Sequence, residues 1–274
     1  MALCFSCSYP VNSRPVPESL IGILSLSVAT SVSAGGFSPL SVSGIRLWVA
    51  ADSLGLSAGS PVSVWPDQSG SGNTIQQGIV SQQPLYQQSI PLGMPIVSFN
   101  KAASQLLTNA APSGLSALDP SSFFVVFNRQ STSSSLLSIG TSVGITNARE
   151  YGIGGGNNLF EMCKNAQGCT QNATGIGFGT FHLLTHIYTN SSVGVYYIDG
   201  VPDTLINPFT AGGFSAPQIL AVGGASTTGG QGLLDGEIAE MIFWNREITQ
   251  TEIDSIHCYF QKKYPALNVA GSCP

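Results

Sequence analysis

From residue 44 onward the chain alternates short apolar, β-branched and aromatic runs with clusters of Gly, Pro, Asn and Ser. The runs fall at 45–50, 95–99, 122–128, 181–189, 193–198, 218–223 and 237–244. Such residues fit a pleated, half-buried surface, and the clusters between them are turn-formers. Asp199-Gly200 directly follows one run and marks a tight turn. A series of this kind folds into a sandwich or jelly roll.

One segment breaks the pattern. Thr249-Gln250-Thr251-Glu252 is a capping box, in which the Thr249 hydroxyl and the Glu252 carboxylate satisfy each other's backbone amides. Ile248 and Ile253 make the accompanying hydrophobic staple. Ile253, Ile256, His257, Phe260 and Tyr264 then follow helical spacing as one buried stripe. Lys262 and Lys263 suit the negative end of the helix dipole, and Pro265 ends it. The fold class is therefore all-β: a two-sheet antiparallel jelly-roll sandwich with one C-terminal α-helix and an extended N-terminal arm.

Charge narrows the function. Charged residues are 8% of the chain, against about 25% in ordinary domains. With net charge −5 and no basic run, nucleic acid is excluded as a partner. A surface wetted by hydroxyls and amides suits an extracellular protein or one packed against other subunits. Residues 1–43 carry only Arg14 and Glu18 as charges, with Pro10, Pro15 and Pro17. Their apolar run at 20–34 is broken by serines and ends in Gly35-Gly36, so no membrane span is expected. Val32-Ser33-Ala34 resembles a signal cleavage site, but the region before the run is nearly uncharged. We read 1–43 as an arm that shelters its apolar residues against capsid or fibre subunits in a homo-oligomer, and 44–274 as one domain. Cleavage near Ala34 is the alternative.

Six cysteines allow 15 connectivities. Cys163 and Cys169 flank a short loop and can close a small ring. Cys4-Phe5-Ser6-Cys7 has zinc-site spacing but lacks a second pair.

Several segments carry a family likeness. Ile45-Arg46-Leu47-Trp48-Val49-Ala50-Ala51-Asp52, the turn Trp65-Pro66-Asp67-Gln68-Ser69-Gly70-Ser71-Gly72-Asn73 and the strand Pro95-Ile96-Val97-Ser98-Phe99 come first. Phe181-His182-Leu183-Leu184, Tyr196-Tyr197-Ile198-Asp199-Gly200 and the stretch from Leu234 through Tyr264 follow in order. Over about residues 44–266 the chain resembles laminin-G-like jelly-roll domains of the concanavalin A-like superfamily. The resemblance implies a jelly roll and a superfamily that includes glycan hydrolases and lyases. It also implies calcium as a common ligand.

The residues argue against catalysis. No E-x-D-x-E string is present, and Asp235 and Glu237 read as a turn and a strand start. Glu237 and Glu240 point to opposite faces of a regular strand. His182 and His186 lie about 13 Å apart on a strand and cannot share a metal. Gly152 to Gly156 lacks the lysine of a phosphate loop. Asp67 with Asn73, or Asp199, could ligate calcium or merely shape turns, so no cofactor or metal is assigned. Asn172-Ala173-Thr174 and Asn190-Ser191-Ser192 fit the glycosylation sequon.

Binding is better served. Arg149, Tyr151, Asn157 and Asn158 offer a guanidinium, a ring and two amides near a glycine-rich loop, the composition that holds a sugar. The expected function is a non-enzymatic surface module, a virion (phage) decoration or fibre protein at the virion surface or otherwise extracellular, touching host glycans. The alternatives are a secreted carbohydrate-binding domain processed near Ala34, or a glycan hydrolase or lyase.

Overall fold

A computed structural model describes residues 36–115, 120–132, 134–140, 148–154, 158–164, 168–189, 194–206, 219–224 and 232–273. Cys4, Cys7, Asn157 and the Asn190 sequon lie outside the described residues. The described body begins at Gly36. Residues 36–43 belong to it: Phe37 and Val42 pack into an apolar cluster, and the Val42 carbonyl accepts the Trp244 indole N–H at 3.1 Å.

In chain order the strands are β1 (Ile45–Ala50), β2 (Val64–Trp65), β3 (Ile75–Gln76), β4 (Leu85–Ser89), β5 (Met94–Phe99), β6 (Leu107–Asn109), β7 (Ser121–Arg129) and β8 (Ser134–Gly140). Then follow β9 (Ala148–Ile153), β10 (Leu159–Lys164), β11 (Gly168–Gly175), β12 (His182–Tyr188), β13 (Gly194–Ile198), β14 (Val201–Asp203), β15 (Leu205–Ile206), β16 (Ile219–Val222) and β17 (Gly236–Trp244). They form two antiparallel sheets. The first has eight strands in the order β14-β13-β12-β7-β17-β5-β4, with β1 also on β17. The second has nine, in the order β15-β11-β10-β9-β8-β16-β6-β3-β2. Strands β8 to β11 were not legible from the sequence, where the glycine-rich stretch around Gly154 reads as loop.

The inner faces meet in one core that includes Trp65, Phe123, Phe127, Tyr151, Phe160, Tyr196 and Phe243. Alternate residues of the first sheet point outward, where α1 (Gln250–Lys263) covers them in a second cluster with Phe124, Ile242, Trp244 and Phe260. The helix forms as its sequence dictates: the capping box of Thr249 and Glu252 is present, and Ile248 and Ile253 are buried. Cys258 and Cys273 are disulfide-bonded and tie the C-terminal tail to the helix. A crosslink closing a loop of this length contributes about 3 kcal/mol.

β17 is not regular. The register against β7 shifts between Ile238 and Glu240, a bulge that leaves Ala239 and Glu240 on the helix side and returns Met241 to the inner core. Glu240 therefore faces the helix, as Ala239, Ile242 and Trp244 do. The expectation that it opposes Glu237 fails for this reason. At 0% exposure a lone carboxylate would be costly. Glu240 instead accepts from Trp48 Nε1 (2.6 Å), Tyr259 OH (2.7 Å) and Tyr264 OH (2.8 Å), and pairs with Lys263 Nζ at 2.8 Å. Burial opposes the charge on Lys263, but Glu240 and Asp52 outweigh it and raise the ammonium above its ordinary range. Burial, then Glu240, also pushes both tyrosine hydroxyls well above theirs. Changing Glu240 to Ala leaves the Trp48, Tyr259 and Tyr264 donors without their acceptor and Lys263 with Asp52 as its remaining carboxylate, so stability should fall by about 3–5 kcal/mol. Urea unfolding monitored at Trp244 and Trp48 measures it, and a loss under 1 kcal/mol would show the cluster to be incidental.

Candidate glycan site

The outer face of the second sheet is built from two side-chain rungs. Ser138, Glu150, Cys163 and Cys169 lie opposite one another across β8, β9, β10 and β11. Ser135, Gly152, Glu161 and Gln171 form the next rung. Directly opposed residues of antiparallel strands share a face, and the inward rung of Leu137, Tyr151 and Met162 confirms the alternation. Cys163 and Cys169 are disulfide-bonded across β10 and β11, which fixes that end of the rung.

Gly152 makes the site. A Cβ there would stand 2.6 Å from the Ser134 carbonyl, so β8 and β9 approach too closely for any other residue. Beside this close approach is a depression of about 30 Å³ lined by Ser134, Glu150, Gly152, Ile153, Glu161 and Cys163. Glu150 and Glu161 flank the gap diagonally. Such pairs start about 7–8 Å apart at the backbone, within reach of one another for long side chains. Burial raises the Glu150 pKa, and the neighbouring Glu161 raises it further against the Ser135 hydroxyl. Glu161 is oriented by Gln171, whose Nε2 donates to Oε2 at 2.8 Å. The site thus holds a carboxyl biased toward its protonated form, an oriented acceptor and an amide. No lysine or arginine lines the depression among the described residues.

The sequence candidates are placed elsewhere. Arg149 and Tyr151 are both 0% exposed on the inner face of β9. The Tyr151 hydroxyl lies 2.8 Å from Ser121 Oγ, to which Arg149 Nη1 donates, and Arg149 sits 5.0 Å over the Tyr188 ring. Neither reaches a surface ligand, because both belong to the interior that also holds His186. Burial, then the Arg149 charge, lowers the His186 pKa to about 3 and keeps it neutral. Asn158 is at the turn into β10, with φ of 61°. Of the group, only Asn158 lies toward solvent among the described residues.

The remaining motifs are structural. Asp67 accepts from the amides of Trp48, Ser69 and Asn73 and from the Ser69 hydroxyl. Asn73 Nδ2 donates to the carbonyls of Arg46 and Ser113. Both side chains are spent on the turn. Asp199 bonds His182 Nδ1 and the Leu183 amide. Asn172 is fully buried, so its sequon is closed in the folded chain. Asn128 Nδ2 donates to Glu237 at 3.0 Å. Glu161, Cys163 and Cys169 converge, but the sulfurs are spent in the disulfide and offer no thiolate.

No protein-family model matches the chain, and no curated protein matches it in sequence. Solved structures share its fold. Domain 4 of AbnA, a GH43 extracellular arabinanase from Geobacillus stearothermophilus in complex with arabinotriose, is 16% identical at a TM-score of 0.52. That match covers 76% of this chain and 96% of the domain. Trypanosoma rangeli sialidase in complex with sialic acid is 12% identical at a TM-score of 0.51, covering 81% of this chain. The chain spans about a third of the sialidase's length, 34%. A β-sandwich shared with carbohydrate-bound proteins and with glycosidases is thus shown. Two expectations give way to these neighbours. The virion decoration or fibre reading falls, because they are parts of glycan-processing enzymes. The exclusion of enzyme function falls with it. The disulfides belong to an oxidising, extracellular setting, and no described helix is long and apolar enough to cross a membrane.

If Glu161 helps to raise Glu150, Glu161→Gln lowers the Glu150 pKa toward the ordinary carboxylate range. Carboxyl-carbon NMR titration reads the shift. An unchanged midpoint would show that the two carboxyls do not sense each other.

Proposed function

We propose that the chain is a secreted, laminin-G-like carbohydrate-binding domain that serves glycan processing and holds a neutral oligosaccharide at the Glu150–Glu161 depression. The observation that carries this reading is the lining itself: two carboxyl groups around the depression, one of them held by the Gln171 amide, with no lysine or arginine lining it among the described residues. Vicinal hydroxyls of a neutral sugar match such acceptors, whereas an anionic sugar would meet two carboxyls unpaired. The arabinotriose bound to the AbnA domain of this fold supports the choice of ligand class.

The Glu150–Glu161 pair favours one second reading, glycoside cleavage. A retaining mechanism needs two carboxyls about 5–5.5 Å apart. Glu150, biased toward protonation, would give its proton to the glycosidic oxygen as the bond to the leaving sugar breaks. Glu161 would attack the anomeric carbon, and water would later release the sugar.

Calorimetric titration with arabinotriose, xylotriose, cellotriose and sialyllactose tests the main reading. Neutral trisaccharides should bind, and Glu161→Gln should weaken them about tenfold, the loss of a charged hydrogen bond. Preference for sialyllactose would overturn the reading. Reducing-end release from the same sugars, abolished by Glu150→Gln, would establish cleavage in its place.

A further inference from the structure

We infer that Phe178 is a stacking platform for a sugar ring, a second contact for the glycan held at the Glu150–Glu161 depression; the inference rests on that functional reading. Phe178 lies in the turn between β11 and β12 and is 46% exposed. A single exposed aromatic is ordinary in itself. What lies beneath this one is not. Arg129, the last residue of β7, is 0% exposed and stands 4.1 Å from the ring centroid. Its guanidinium donates to the carbonyls of Gly177 (3.3 Å), Ser131 (3.3 Å), Thr132 (3.2 Å) and Ile176. The Arg129 carbonyl in turn accepts the Gly179 amide at 3.0 Å. One buried cation therefore gathers two loops at the end of the sandwich and backs one face of the ring. The other face is left to solvent.

The surroundings leave room on that side. A Cβ placed on Gly177 or on Gly179 would meet nothing within 4 Å among the described residues, so the backbone on either side of Phe178 is uncrowded there. Gly179, at φ +71°, also lets the chain turn sharply after Phe178. Polar groups border the platform. The Ile176 amide donates to the Asn158 carbonyl at 2.8 Å, which holds the Asn158 turn beside this one. Thr132 is exposed, and the Ser131 hydroxyl is buried with no partner among the described residues.

Platform and depression are continuous along the chain. The loop of Ser131 and Thr132 runs into Ser134, which lines the depression, and the Asn158 turn runs into β10 and Glu161. A sugar buries its C–H face on an aromatic ring and turns its hydroxyls to acceptors at the edge. A ring already fixed by Arg129 costs little ordering on binding. The occupant that fits is one residue of a neutral oligosaccharide, with another residue of the same chain at the carboxyl pair.

The test titrates the full chain with arabinotriose, xylotriose and cellotriose. Phe178→Ala should weaken binding about tenfold, the effect of re-exposing part of one ring face. The melting temperature should fall only slightly, by the loss of the Arg129 contact with the ring. Phe178→Tyr and Phe178→Trp should bind like the natural chain, and saturation-transfer NMR should show aromatic protons next to sugar C–H protons. Unchanged affinity in Phe178→Ala, with affinity lost in Glu161→Gln, would overturn the platform and leave the functional reading standing. Absence of binding by the natural chain would overturn both.

Discussion

The carboxylate of Glu240 fixes the helix on the outer face of the first sheet. A bulge in β17 turns it to the outside of the first sheet, where it would be intolerable without partners. Trp48, Tyr259, Lys263 and Tyr264 supply them, and three of the four come from α1 or its C-cap. The helix is thus locked on one face of one sheet by a buried charge and not by apolar contact alone. With that face covered, the second sheet contributes the partly exposed Glu150, Glu161 and Gln171 around the depression.

That array has the features a neutral glycan needs. Its depression lies where Gly152 lets β8 and β9 approach, and it is lined by Glu150 and by Glu161, which Gln171 holds. The cations that might have made it anion-selective are turned inward. Arg149 lies in the core with Tyr151 and Tyr188, and Arg129 plugs the end of the sandwich under Phe178. A chain with 8% charged residues has few ions to spend, and this one buries two of its guanidinium groups to brace the loops and strands around the site.

The strongly apolar elements were legible from sequence. β1, β5, β7, β12 and β17 are rich in Val, Ile, Leu and Phe, and the capped helix announces itself by Thr249, Glu252 and its apolar stripe. The strands that carry the site were not. β11 reads Gly-Cys-Thr-Gln-Asn-Ala-Thr-Gly, and β9 hides its period behind Arg149 and Gly152. Arginine is rarely buried, so Arg149 was read as a surface group and drew Tyr151 with it. The alternation of Tyr151 and Ile153 inward with Glu150 and Gly152 outward was the signal that could have reversed this. Glu240 misled for another reason: a bulge adds one residue to a strand, and no local pattern marks it.

The most direct measurement maps backbone amide shifts of the full chain as the best-bound neutral trisaccharide is added. The expected shifts gather on Ser134–Ser138, Glu150–Ile153, Asn158–Cys163 and Gln171, and extend to Gly177–Gly179. Shifts gathered on α1 and β1, or on β13 and β14, would contradict the assignment of the glycan to the outer face of the second sheet.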